Sequence, residues 1–342
     1  GARPNPTPPI AALPPYTDAD LCPFINAGPD QSNCAAGCVT LTADFAEINN
    51  TSNYQIQDIA YAPYPFNSPT ATNVIVDLDD IWSGVVNMPF SFCFYGSVYN
   101  QLVIGANGVI TFNTNYANTY CVWPINNGLP SPTMSGNPFT NVICAPFHDI
   151  DPSVGFDPNR IRWHLEGSAP CRKMVITWRN VPMYSGACNS QLATQQIVLH
   201  ETSNAIDTYI QNKPICGSWN GGQAIHGIQN AAGTVARIVP GRNNNSQWST
   251  SNEGKRFIPT GTPAYAITWT ANGATVGNGA SINVCPTQTT NYIAQITYTK
   301  CNGNTLTVSD TVRVNVAGLA NAAINGNTTI CNGQATTLTA TG

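Results

Sequence analysis

The residues whose types and spacing could do chemistry are mostly acidic. His148, Asp149, Asp151 and Asp157 form the densest polar group in the chain. Asp149 and Asp151 stand two positions apart, so on a strand both carboxylates would face one side. Calcium takes roughly six to eight oxygen ligands and suits carboxylates so placed. Asp149, Asp151 and Asp157 are therefore the candidate calcium ligands, and no other cofactor is expected. Asp77, Asp79 and Asp80 form a second acidic patch. Neither group follows the spacing of an EF-hand loop or a Gly-rich calcium repeat, and Asp near proline also bonds backbone amides in turns. The same carboxylates, with Glu166 or Glu201, could be drawn as an acid and base pair. Nothing in the sequence fixes their separation. A nucleophile elbow, a His-Glu-x-x-His helix and a phosphate-cradling loop are all missing. The expectation is a protein that is not an enzyme.

The aromatic residues are the second candidate feature. Trp219-Asn-Gly-Gly222 and Gln247-Trp248 set indole rings beside amides. Pyranose faces are apolar and their hydroxyls need paired donors and acceptors, so Trp219, Asn220 and Trp248 are candidate ligand contacts. Trp269, in Ile-Thr-Trp-Thr, reads as the buried tryptophan of a sandwich, and Trp163 and Trp178 read as core.

The chain has 12 cysteines and 4 scattered histidines, with no paired Cys-x-x-Cys spacing that would build a zinc site. Disulfides formed in an oxidising compartment are the economical reading. The candidates are Cys22, Cys34, Cys38, Cys93, Cys121, Cys144, Cys171, Cys188, Cys216, Cys285 and Cys301, and their connectivity is open. Cys331 is set apart because a partner could lie beyond Gly342.

These side chains must be positioned by strands. Only 9% of the 342 residues are charged, against about 25% in an average soluble protein. The net charge of -4 comes with no basic cluster, so nucleic acid is not an expected partner. No apolar run is long enough to span a membrane, and any export signal would already have been removed. Residues 1–24 are proline-rich and read as an extended leader. Beyond them, Pro and Gly punctuate short alternating runs, and Asn107-Gly108, Asn272-Gly273 and Asn302-Gly303 each join two such runs. Asn-Gly is the residue pair of type I′ hairpin turns. The fold class is all-β: a large β-sandwich domain plus immunoglobulin-like β-sandwich modules, with disulfides.

The chain also echoes itself. Cys34-Ala-Ala-Gly-Cys-Val-Thr-Leu-Thr-Ala43 returns as Cys331-Asn-Gly-Gln-Ala-Thr-Thr-Leu-Thr-Ala340. Residues 25–46 are read as the opening strands of an immunoglobulin-like module and 261–317 as its closing strands. A large β-domain over 47–260 is then inserted between them, and 318–342 begin the next repeat. Insertion at a surface loop is cheap because closure entropy grows slowly with loop length.

Several motifs carry a family resemblance. Pro89-Phe-Ser-Phe-Cys-Phe-Tyr-Gly-Ser-Val-Tyr99 followed by Ile104-Gly-Ala-Asn-Gly-Val-Ile-Thr-Phe112 resembles the core of nidogen-like extracellular domains. His148-Asp-Ile-Asp-Pro-Ser153, Pro170-Cys-Arg172, Gln211-Asn-Lys-Pro214, Gly227-Ile-Gln-Asn-Ala-Ala-Gly233, Pro240-Gly-Arg-Asn243 and Val284-Cys-Pro-Thr-Gln-Thr-Thr-Asn-Tyr292 resemble very large repetitive surface proteins of Bacteroidota. The resemblance implies a type IX secretion substrate of the gliding-motility adhesin kind, displayed on the outer surface of a Gram-negative bacterium. Its implied partners are the secretion and outer-membrane machinery and an extracellular surface or glycan. Self-association into filaments is a further expectation, and a lectin-like module on an immunoglobulin-like stalk is the alternative. The resemblance supplies no catalytic residues.

Overall fold

The computed structural model describes residues 21–34, 37–75, 77–317, 323–326 and 329–341. Most of the proline-rich leader and parts of the second repeat copy lie outside the described residues. The described chain is all-β, with single turns of 3-10 helix such as Thr114–Tyr116 and Asn220–Gly222. It divides into two compact units: 1–23, 46–265 and 298–306 form the first, and 24–45, 266–297 and 307–342 form the second.

The first unit is a sandwich of two sheets. One sheet runs, in spatial order, Ala236–Ile238, Ile225–Gln229, Val142–Phe147, Val109–Thr111, Ser97–Gly105, Val86–Phe94. The other runs Tyr54–Ile59, Thr250–Pro259, Ile206–Lys213, Leu192–His200, Lys173–Pro182, Ile161–Glu166, Thr72–Ile75. Side-chain alternation explains the layering. Val86, Met88, Phe90, Phe92 and Phe94 point inward from one strand, and Met174, Ile176 and Trp178 point inward from a strand of the facing sheet, into one core. The first sheet is buried on its other face as well. Val103, Val109, Val142, Cys144 and Phe147 pack outward against Val122, Ile125, Leu129, Met134 and Phe139 of the long crossing segment between Val109–Thr111 and Val142–Phe147. Val109–Thr111, Val142–Phe147 and Ile225–Gln229 are therefore buried on both sides and read as continuous runs, while the edge strand Val86–Phe94 keeps its alternation.

The second unit is a smaller immunoglobulin-like sandwich. One sheet runs Gln31–Cys34, Thr305–Ala317, Thr290–Thr299, Tyr265–Ala271, Ala274–Asn278, and Ser281–Val284 pairs with Val39–Thr42. Trp269 is fully buried there and donates Nε1–H to the Gly279 carbonyl at 3.0 Å.

The three Asn-Gly pairs all turn hairpins, but not in the same way. At Asn272 (φ 51°) and Gly273 (φ 79°) both residues are left-handed, and Ala271 faces Ala274 across a two-residue turn, as type I′ requires. At Asn107-Gly108 only Gly108 has positive φ (77°), and Gly105 faces Val109. That is a three-residue loop closed by a left-handed glycine. Asn302-Gly303 likewise uses only Gly303 (φ 82°).

Four disulfides form: Cys22–Cys171, Cys93–Cys301 and Cys188–Cys216 in the first unit, and Cys38–Cys285 in the second. Three of the expected disulfide cysteines are not bonded. Cys34 is exposed and unpaired, while Cys121 and Cys144 are buried thiols. The last two act as small apolar fillers of the outer core. Gly105 leaves space for Cys121, since a Cβ there would lie 2.7 Å from its Sγ, and Cys144 sits directly across from Val109.

Candidate functional site

Four strand connections of the first unit carry the acidic and aromatic candidates or tie them together. Residues 106–108 turn between Gly105 and Val109. The 148–160 segment leaves Phe147, the 183–191 loop leaves Pro182, and the 214–224 loop leaves Lys213. Isolated bridges knit these loops together: Ile81 with Tyr120, Trp82 with Gly105, and Ile150 with Met183.

Asn107 is the hub. It is fully buried. Its Nδ2 donates to Asp80 Oδ1 at 2.9 Å, and its Oδ1 accepts from the Ile150 amide at 3.2 Å. One amide side chain therefore ties the 79–80 turn to the 149–151 segment. The neighbouring glycine is required, because Gly108 is left-handed and a Cβ there would run into the Pro146 carbonyl. Asp79 Oδ1 accepts from the Asp80 amide at 2.9 Å. Asp151 Oδ1 accepts from the Ser153 amide and hydroxyl at 2.8 and 2.6 Å. Asp149 Oδ2 accepts from Trp219 Nε1–H at 2.6 Å, and its Oδ1 is buried with no hydrogen-bond partner.

Asp79, Asp80 and Asp149 resist ionising. Asp79 is pushed up to about 8, first by burial and then by Asp80, Asp151 and Asp149. Asp149 is pushed up to about 7 by burial, against the opposing bond from Trp219, with Asp80 and Asp151 adding to the rise. Asp80 is raised by burial and by Asp151, and the Asn107 bond works the other way. No lysine, arginine or histidine is among the groups acting on these three. Among the described residues, no three His, Cys, Asp or Glu side chains converge as a ready-made metal site. Asp157, the third expected calcium ligand, accepts from the Asn159 amide at 2.9 Å in its own turn. It is not among the charges that act on Asp149.

Beside the carboxylates stands an aromatic group. The Trp219 ring lies 4.7 Å from Tyr184 and 5.3 Å from Trp123, centroid to centroid. All three rings are half-buried. Asn220 Nδ2 donates to the Trp123 carbonyl at 3.3 Å. Asn220, Gly221 and Gly222 are consecutively left-handed (φ 45°, 60°, 66°), which turns the loop tightly after Trp219. The Cys188–Cys216 bond joins the loop bearing Tyr184 to the loop bearing Trp219.

Removing that bond with Cys188→Ala and Cys216→Ala is expected to destabilise the first unit by about 3 kcal/mol, since it closes a loop of about 28 residues. Denaturant unfolding without reductant measures this. A loss under about 1 kcal/mol would mean the loops are held by other contacts.

Of the expected ligand contacts, the structure joins Trp219 and Asn220 to the acidic group but gives Trp248 internal partners. Its Nε1–H donates to the Ala224 carbonyl at 2.9 Å. Arg242 and Lys213 lie 4.1 and 4.9 Å from its ring, and His226 stacks at 6.1 Å. Trp123 and Tyr184 were not singled out as ligand contacts from the sequence. Their partnership with Trp219 depends on loops far apart in the chain.

An open groove of about 650 Å³ runs elsewhere, between the edge strands Tyr54–Ile59 and Ala236–Ile238. Its basic groups are internally engaged: Arg242 with Glu253, Lys255 with Glu253 and Asp58, and Arg237 with Asn53 and the Tyr54 carbonyl.

A disulfide-bonded all-β sandwich is the build of an extracellular protein domain. Residues 53–271 match the NIDO-related family, and the chain belongs to it. No curated protein and no solved structure is significantly similar. Among the described residues, no helix is long and apolar enough to cross a membrane.

Proposed function

We propose that this chain is a non-enzymatic segment of a secreted surface adhesin, and that the rim carrying Trp123, Tyr184, Trp219 and Asn220 is its contact face. The observation that carries the reading is the half-exposed aromatic group held on disulfide-bonded loops in a NIDO-related domain. Aromatic anchors on a rigid scaffold bind at low entropic cost. The resemblance to giant Bacteroidota surface proteins supports the finer reading: a type IX secretion substrate whose immunoglobulin-like modules form the stalk. The carbohydrate-binding alternative is favoured by one feature, the Asn220 amide standing beside the indoles.

The test is adhesion of beads coated with the full chain to bacterial and abiotic surfaces, run beside a glycan array. Trp219→Ala is expected to lower adhesion at least about tenfold, measured well below the variant's own unfolding transition, as for a central aromatic anchor. Adhesion unchanged by Trp219→Ala would remove the rim as the contact face. Saturable binding to one glycan class, lost in the same variant, would favour the lectin.

A further inference from the structure

A separate recess lies in the first unit, at the strand ends remote from the Trp219 loop. Lys173 faces His200 at this end of the sheet, while Pro182 faces Leu192 at the other. The recess has a volume of about 290 Å³, and Arg172, Glu201, Lys300, Asn302 and Asn304 are on its walls. All five belong to the first unit. The walls are fixed. Cys93–Cys301 ties the 300–304 turn to the strand Val86–Phe94, and Cys22–Cys171 holds the residue before Arg172. The turn closes on itself, with the Lys300 amide donating to the Asn304 carbonyl at 2.8 Å. Asn204 braces the opposite wall: its Oδ1 accepts from the Cys93 amide and its Nδ2 donates to the Thr202 carbonyl, both at 2.8 Å.

Internal bonds consume most of the acceptors here and leave the donors. Glu201 is 6% exposed. Its Oε2 accepts from the Arg172 backbone amide and Nε–H at 3.1 and 2.8 Å, and its Oε1 accepts from Arg172 Nη2–H at 2.7 Å. Asn302 Oδ1 accepts from the Asn304 amide at 3.0 Å. Arg172 Nη1, Asn302 Nδ2 and the Asn304 side chain remain to bond a ligand. So does the Lys300 amino group. Among the described residues no hydrogen bond or ion pair engages it, although its charge acts on Glu201.

We propose that this recess binds an acidic monosaccharide unit, a uronate, with Lys300 and Arg172 on its carboxylate and Asn302 and Asn304 on its hydroxyls. Two cations stand against one carboxylate whose oxygens are already bonded, so the recess favours an anion. Ammonium and guanidinium donors bond carboxylates more strongly than neutral oxygens. The volume is at the small end of ligand pockets, which suits one sugar ring. A bare carboxylate would leave the amides of Asn302 and Asn304 unused, whereas ring hydroxyls pair with them. The proposal does not depend on Trp219 being part of an adhesive face.

The experiment is calorimetric titration of the full, disulfide-intact chain with D-galacturonate and D-glucuronate, beside D-galactose, acetate and inorganic phosphate. The expected result is saturable, single-site binding of at least one uronate with a Kd of about 1–10 mM, as for a ligand this small. Galactose and acetate should each bind at least about tenfold more weakly, since each lacks half of the bonded groups. Lys300→Ala is expected to weaken uronate binding about tenfold, and Lys300→Arg to retain most of it. Lys300 lies on a turn and its amino group has no internal bond to lose, so both variants should unfold with the parent's Tm, which separates lost binding from misfolding. No saturable uronate binding, binding that survives Lys300→Ala, or acetate or phosphate binding as tightly as the uronate overturns the proposal. No adhesion surface enters this readout, so its failure is distinct from failure of the adhesin reading.

Discussion

Asp207→Ala is expected to destabilise the first unit by about 3–5 kcal/mol, because it leaves the buried Arg256 guanidinium without its counter-charge. Asp207 is fully buried, and Arg256 and His200 are each 2% exposed. Arg256 donates Nε–H and Nη2–H to the two oxygens of Asp207 at 2.6 and 2.7 Å, and His200 Nε2 meets Oδ2 at 2.8 Å. A bidentate guanidinium pair of this kind is both directional and strong. The three residues lie on three adjacent strands, Leu192–His200, Ile206–Lys213 and Thr250–Pro259. The cluster therefore fixes register across the middle of the sheet. Urea unfolding of the disulfide-intact chain measures the loss. A change below about 1 kcal/mol would show that desolvation cancels the attraction.

The same carboxylate sets an acid limit. Burial alone would raise its pKa, but His200 and Arg256 more than reverse that and hold it well below the usual carboxylate range. With the folded value depressed and the unfolded one near about 4, the unfolded chain takes up the proton first. The stabilisation is therefore present above the unfolded pKa and is lost progressively as pH falls below about 4 toward the folded value. Asp207→Asn should flatten the acid side of the stability–pH curve, while an unchanged slope would assign acid unfolding to other carboxylates.

What the sequence made legible follows from the range over which each signal acts. Alternation along Val86–Phe94 and the glycines of the hairpin turns are local, and they are enough to specify an all-β chain with sandwiches. The type of turn was less legible. Asn107 could have been left-handed like Asn272, but its side chain is committed to Asp80 and the Ile150 amide, and only Gly108 takes the positive φ. The eight bonded cysteines and the buried thiols Cys121 and Cys144 look alike in sequence. Their difference is made by which strand faces which, as where Cys144 meets Val109. The acidic site shows the same limit. Asp149 and Asp151 were visible as a pair, and Asp79 and Asp80 as a separate patch. Asn107, buried between them, joins the two, and an asparagine beside a glycine reads from sequence as a turn and nothing more.

Trp178→Ala is expected to cost about 3–5 kcal/mol, the range for emptying a large buried aromatic site. The side chain is fully buried in the main core between the two sheets. It also does something a purely apolar ring would not: its Nε1–H donates to the Gly105 carbonyl at 3.0 Å. Gly105 is the last residue before the 106–108 turn, so this bond anchors the base of the loop that carries Asn107. Trp178→Phe separates the two roles. It keeps much of the core volume but removes the indole donor to the Gly105 carbonyl, at about 1 kcal/mol. Chemical denaturation gives both losses, and hydrogen exchange across 105–108 reports the loop directly. If Trp178→Phe speeds exchange in that turn while the strands at the opposite rim stay protected, the indole N–H is what joins the core to the acidic rim. If exchange at 105–108 is unchanged, the turn is held by Asn107 and Gly108 alone, and Trp178 contributes only volume.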